Sequence, residues 1–92
     1  MEGITNSSNA LRQCRRERGL KQKEVAWLIG QKTLSHVSRY EQNRTLPNLL
    51  TALKFEIIYR RPVAFLYPDL YQHLKREIRN KEEAHHGSEN NF

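Results

Sequence analysis

Residues 21–43 read KQKEVAWLIGQKTLSHVSRYEQN. Val25, Ala26 and Ile29 recur at helical spacing and predict a helix over Gln22–Ile29, which Gly30 stops. Val37 and Tyr40 supply the apolar side of a second helix, Leu34–Gln42, with Thr33 as its N-cap and Asn43 as a left-handed C-cap. Ala26 is small, so the two axes can approach, and Val37 is the apolar peg between them.

Helical spacing continues outward in both directions, and no alternating run of strand type occurs. Upstream, Ser8–Arg18 puts Leu11, Cys14 and Arg18 on one face, with Ser7 or Ser8 as N-cap and Gly19 as the closing residue. Downstream, Pro47 bars helix at Leu46, and Asn48 caps Leu49–Tyr59 with Leu49, Leu50, Leu53 and Ile57 inward. Pro62 suits the first position of a fifth helix, whose apolar side is Val63, Phe65 and Leu66. Pro68 starts a sixth, striped by Tyr67, Leu70, Tyr71, Leu74 and Ile78. The expected architecture is all-α: a five-helix domain with an additional C-terminal amphipathic helix. Residues 1–7 are expected as a flexible N-terminus, 8–67 as the domain, 68–81 as the amphipathic helix and 82–92 as a disordered tail.

Composition sets the partner class. Of 92 residues, 16 are Lys or Arg and 10 are Asp or Glu, a net +6. Residues 1–60 hold 11 of these cations and 5 acids, whereas residues 61–92 hold 5 of each, so the whole excess lies in the first two-thirds. A basic module with a neutral appendage fits a polyanion, and nucleic acid comes first. The longest apolar runs, Val25–Ile29 and Val63–Tyr67, fall far short of the roughly 20 residues of a membrane span. The N-terminus has no signal-peptide pattern, so a reducing cytoplasmic setting is expected. Cys14 stands alone, which excludes a disulfide framework and a cysteine zinc site.

Two short helices joined by a glycine-containing turn have helix-turn-helix spacing, in which the first helix braces the second so that its N-terminal residues enter a major groove. LRQCRRERGLKQKEVAWLIG followed by SHVSRYEQNRTLPNLLTAL resembles the Xre/Cro-type DNA-binding domain of phage repressors and related bacterial regulators. The features shared are Arg15, Gly19-Leu20, Gln22, Glu24-Val25-Ala26, Ile29-Gly30, Val37-Ser38-Arg39-Tyr40-Glu41 and Pro47, across residues 9–67. The resemblance implies a five-helix lambda-repressor-like fold, a homodimer on a near-palindromic double-stranded operator, transcriptional regulation and no catalysis. It implies that Gln22 opens helix two and holds a phosphate, that Thr33, Leu34, Ser35, His36 and Arg39 meet the groove, and that Arg44 and Asn48 flank it at the backbone. It also implies an ion pair between Arg15 and Glu41 that ties helix one to the end of helix three. Four features depart from the family: Lys21 replaces the usual polar N-cap, the turn Gly30-Gln31-Lys32-Thr33 is one residue longer than the common form, so that helix three can start at Ser35 with its readers shifted by one residue, Leu34 stands where a polar base reader is common, and Asn43 replaces a glycine.

The remaining features have plainer readings. Cys14 is a small core residue rather than a nucleophile. Trp27 and Leu28, at positions often polar in such domains, are expected to pack under helix four or the C-terminal helix; the alternative is an exposed partner patch. The stripe Tyr67, Leu70, Tyr71, Leu74 and Ile78 packs back on the core, pairs with its copy or binds another protein; it runs past the five-helix core, which favours dimerisation. His85-His86 with Glu82, Glu83 and Glu89 reads as a solvated tail, not a metal site. No phosphate loop, nucleophile motif or cofactor signature occurs. The expected function is a DNA-binding regulator. The alternatives are an antitoxin whose C-terminal helix clasps a toxin, or an interaction module that has lost DNA binding.

Overall fold

The computed structural model describes residues 8–88, so the expected flexible segment 1–7 and the last residues, 89–92, lie outside it. Among the described residues there are six helices and no strand. They are α1 (Leu11–Glu17), α2 (Gln22–Leu28), α3 (Ser35–Glu41), α4 (Leu49–Tyr59), α5 (Val63–Leu66) and α6 (Pro68–Ser88). The fold is all-α, five helices with a sixth at the C-terminus, as the spacing predicts.

The stops are set by backbone that helix cannot continue. Gly19 (φ 72°), Gly30 (φ 87°), Asn43 (φ 60°) and Arg60 (φ 57°) all take left-handed conformations, closing α1 to α4 in turn. Of the starts, Asn48 caps α4 by accepting from Thr51 N–H at 2.9 Å. The other starts depart from expectation. Of the two serines expected to cap α1, Ser7 lies outside the described residues and Ser8 reaches across to Asp69 instead, while Asn9 Oδ1 takes Leu11 N–H at 3.0 Å. Lys21 cannot accept through an ammonium, so α2 has half a capping box, with the Lys21 N–H donating to Glu24 Oε1 at 2.7 Å. The longer turn moves the start of α3 to Ser35, and Thr33 Oγ1 accepts only a long 3.4 Å bond from Ser35 N–H. Pro62 precedes α5 rather than opening it, and Glu56 Oε1 accepts from Val63 N–H at 3.1 Å.

The core is formed by Leu11, Cys14, Val25, Ala26, Ile29, Val37, Tyr40, Phe55, Tyr59, Leu66 and Tyr67. Phe55 is central: Tyr40 meets it edge-on at 5.6 Å and Tyr59 stacks on it at 5.8 Å. Arg18, expected beside Leu11 and Cys14, is exposed, and the buried cation of α1 is Arg15. Phe65 is also exposed, under the Arg61 guanidinium 5.0 Å away.

The largest correction concerns α4. Leu49, Leu50, Leu53 and Ile57, expected inward, lie on the solvent side, exposed by 72%, 69%, 43% and 74%. Phe55 and Tyr59 are buried, with Ala52 and Ile58 half-buried beside them. The helix is apolar on both sides, so burial of one row leaves the other in water. A second correction concerns the tail, because residues 82–88 continue α6 as helix instead of ending it at Lys81. Glu, Lys, Arg and Ala are good helix formers even where nothing is buried. The molecule measures 52 × 25 × 21 Å.

Candidate nucleic-acid interface

The side of α3 that packs inward carries Val37 and Tyr40, which are 1% and 8% exposed. The helical period then forces Ser35, His36 and Arg39 to the opposite side, and all three are exposed. Leu34 and Thr33, just before the helix, are exposed too. The chain leaves α3 through Asn43, whose positive φ lets Arg44 N–H return to the Arg39 carbonyl at 2.9 Å. Arg44 is thereby held at the end of α3 with its side chain in solvent. One exposed face thus offers two guanidiniums, an imidazole, two hydroxyls and the apolar Leu34, all suited to phosphates and base edges.

That face is braced from behind. Arg15 Nε donates to Glu41 Oε2 at 2.6 Å, and a second guanidinium nitrogen of Arg15 donates to Glu41 Oε1 at 3.2 Å. The two side chains are 11% and 3% exposed. Arg15 also donates to the Leu20 carbonyl at 3.0 Å, which fixes the turn after α1. Hydrogen bonding to Glu41 raises the Arg15 pKa and outweighs the opposing effect of burial. Gln22, half-buried at the start of α2, donates to Glu41 Oε1 at 3.0 Å, so one carboxylate ties α1, α2 and α3 together. Asn9 makes a second tie, donating from Nδ2 to the Tyr40 carbonyl at 2.9 Å and to Asn43 Oδ1 at 2.6 Å.

The residues read as DNA ligands therefore divide. Thr33, Leu34, Ser35, His36, Arg39 and Arg44 lie on or beside the exposed face of α3. Asn48 is exposed but its Oδ1 is engaged as the α4 cap, and the Gln22 amide is engaged by Glu41. The sequence reading missed Asn9 because it stands in a run, Ser7-Ser8-Asn9, where every residue is a capping type. Trp27 and Leu28 do not pack under another helix; they are 77% and 45% exposed. In the C-terminal stripe, Tyr67 is a core residue and Leu70 is half-buried, while Tyr71, Leu74 and Ile78 face solvent.

Burial, and then the nearby Glu17, push the Cys14 thiol above its ordinary pKa, so it is a poor nucleophile. No cluster of metal-ligating side chains occurs among the described residues. None of the described helices is long and apolar enough to cross a membrane.

A family model described as helix-turn-helix matches residues 11–66, which spans α1 through α5. No curated protein and no solved structure matches the chain.

Proposed function

The chain belongs to the Xre/Cro-type helix-turn-helix family of DNA-binding regulators, and from that premise we propose that it binds a specific near-palindromic operator as a homodimer in the cytoplasm. Residues 8–67 are the DNA-binding unit, and the C-terminal helix serves assembly. Bound at a promoter, the dimer would regulate by occluding or recruiting polymerase. Ser35, His36 and Arg39 read bases from the start of α3, with Arg39 spanning guanine O6 and N7. Leu34 meets a thymine methyl. Gln22, Thr33, Arg44 and Asn48 lie against the phosphate backbone. The single observation that carries this reading is the division of α3, with Val37 and Tyr40 buried and Ser35, His36 and Arg39 exposed.

The test is selection of bound sites from random double-stranded DNA, followed by titration of the selected site at rising salt. A recovered inverted repeat, with affinity falling linearly in log–log form, supports the reading. Recovery of no sequence above background overturns it.

A further inference from the structure

Among the described residues, besides the exposed pair Trp27-Leu28, two longer apolar rows lie uncovered, and they are of different character. The outer row of α4 is purely aliphatic, and its borders hold one cation, Lys54, and one anion, Glu56. The helix has two charged residues, and both are tied back into the fold: Lys54 Nζ donates to the Ile29 carbonyl at 3.1 Å, and Glu56 Oε1 accepts from Val63 N–H at 3.1 Å. Between them Leu49, Leu50, Leu53 and Ile57 face water. The second row belongs to α6, where Tyr71, Leu74 and Ile78 are exposed by 48%, 41% and 54%. These three recur at three- and then four-residue spacing and are flanked by Lys75, Arg76, Glu77 and Arg79.

We propose that the α6 row of a second copy of this chain lies on the outer face of α4, and reciprocally, so that both rows are buried in a two-fold dimer. The proposal deepens the dimer reading above by naming its surfaces. Three observations favour a second copy. The two rows match in length, roughly 10 Å for Tyr71–Ile78 and roughly 12 Å for Leu49–Ile57 at 1.5 Å per residue. The aliphatic α4 row, bordered by Lys54 on one side and Glu56 on the other, matches an α6 stripe flanked by Lys75, Arg76, Glu77 and Arg79, so charges of both signs can meet opposite partners. A closed two-fold contact of this kind buries each row of each copy once. The simpler pairings leave apolar surface behind: α4 on α4 strands the α6 row, and α6 on α6 strands the four aliphatic side chains of α4. A parallel α6 pair along this seam also sets Glu77 of one copy against Glu82 of the other, a like-charge contact.

The test uses the full chain. Leu53→Cys and Leu74→Cys place one thiol at the middle of each row; Cys14 is 3% exposed and its thiol is raised by burial, so it stays out of mild oxidation. The two variants, one carrying a size tag, are mixed, allowed to exchange and oxidised. The proposal expects the mixed disulfide as the main product, with each variant alone giving little. Self-crosslinking of Leu53→Cys alone shows α4 on α4 and overturns it; self-crosslinking of Leu74→Cys alone shows α6 on α6 and overturns it. Leu53→Glu and Leu74→Glu each weaken dimerisation about tenfold or more in sedimentation, with helix content kept. Wild-type protein that sediments as a monomer at every concentration, with both rows then free for another protein, also overturns it. Site selection from random DNA reads the DNA-binding proposal separately, so either proposal can fail while the other stands.

Discussion

Glu41 receives Arg15 through two hydrogen bonds, 2.6 and 3.2 Å long, across the gap between α1 and α3. The pair is nearly closed to water, so removing either partner strands a charge. Arg15→Ala and Glu41→Ala are each expected to cost about 3 kcal/mol in urea melts. Values within about 0.5 kcal/mol of wild type, the range of ordinary surface changes, would remove the pair from the stability of the fold.

Arg39 and Gln22 should separate reading from holding. Arg39 touches no other part of the fold through its side chain in any hydrogen bond among the described residues, so Arg39→Ala is expected to leave stability unchanged. On the selected operator it should lose about 1–3 kcal/mol of binding, and much less on random DNA. Gln22→Ala should weaken both DNAs alike and also cost about 1 kcal/mol of stability, because Glu41 loses a donor. Equal losses for Arg39→Ala on both DNAs would make it a phosphate ligand instead.

Tyr59 and Tyr67 are buried with hydroxyls that find no hydrogen-bond partner among the described residues. Replacing either with phenylalanine is expected to be neutral or stabilising, since it deletes an unsatisfied polar atom. Burial, in both cases the leading cause, holds the two phenols well above their ordinary value of 10.0. The unfolded chain therefore releases these protons first as pH rises. Stability is full below about pH 10 and falls above it, by about 1.4 kcal/mol per pH unit for each tyrosine. Urea midpoints at pH 8, 10 and 11 check this, and each Tyr→Phe variant should show a shallower fall.

Deletion of the chain from Tyr71 onward removes no core residue, since Leu66 and Tyr67 remain. The truncated protein is expected to keep cooperative unfolding and to lose self-association in sedimentation. An unchanged mass would exclude α6 from the dimer contact.

The α2–α3 unit was legible because its glycines and its apolar residues agree: Val25, Ala26, Ile29, Val37 and Tyr40 are buried as spaced, and Gly30 turns where the first run ends. The orientation of α4 was not legible. Leu49, Leu50, Leu53 and Ile57 form one apolar row and Ala52, Phe55, Ile58 and Tyr59 another, so periodicity supplies no vector and only the packing against Tyr40 chooses between them. Trp27 was misread for a related reason, since a large aromatic is taken for core on hydrophobicity alone, while its place on α2 points away from Val25 and Ala26. The length of α6 was hidden because apolar spacing stops at Ile78, whereas helix propensity does not; Arg79 and Glu82 still pair 3.8 Å apart beyond it. At the candidate interface the exposed side of α3 followed from the spacing, but the engagement of the Gln22 amide by Glu41 depends on three helices meeting and has no local signature.

The brace behind α3 ends at Glu41, while Ser35, His36 and Arg39 stand exposed on the far side of the same helix and take no part in it. On the proposed reading, recognition and the α3 end of the brace are carried by residues six positions or fewer apart. If these three residues read the operator as proposed, changes there can accumulate at little thermodynamic cost, so a descendant of this sequence can drift to a new operator without passing through an unfolded ancestor. For the same reason, exchanging the three against those of another such domain should transplant its preference onto an unaltered scaffold.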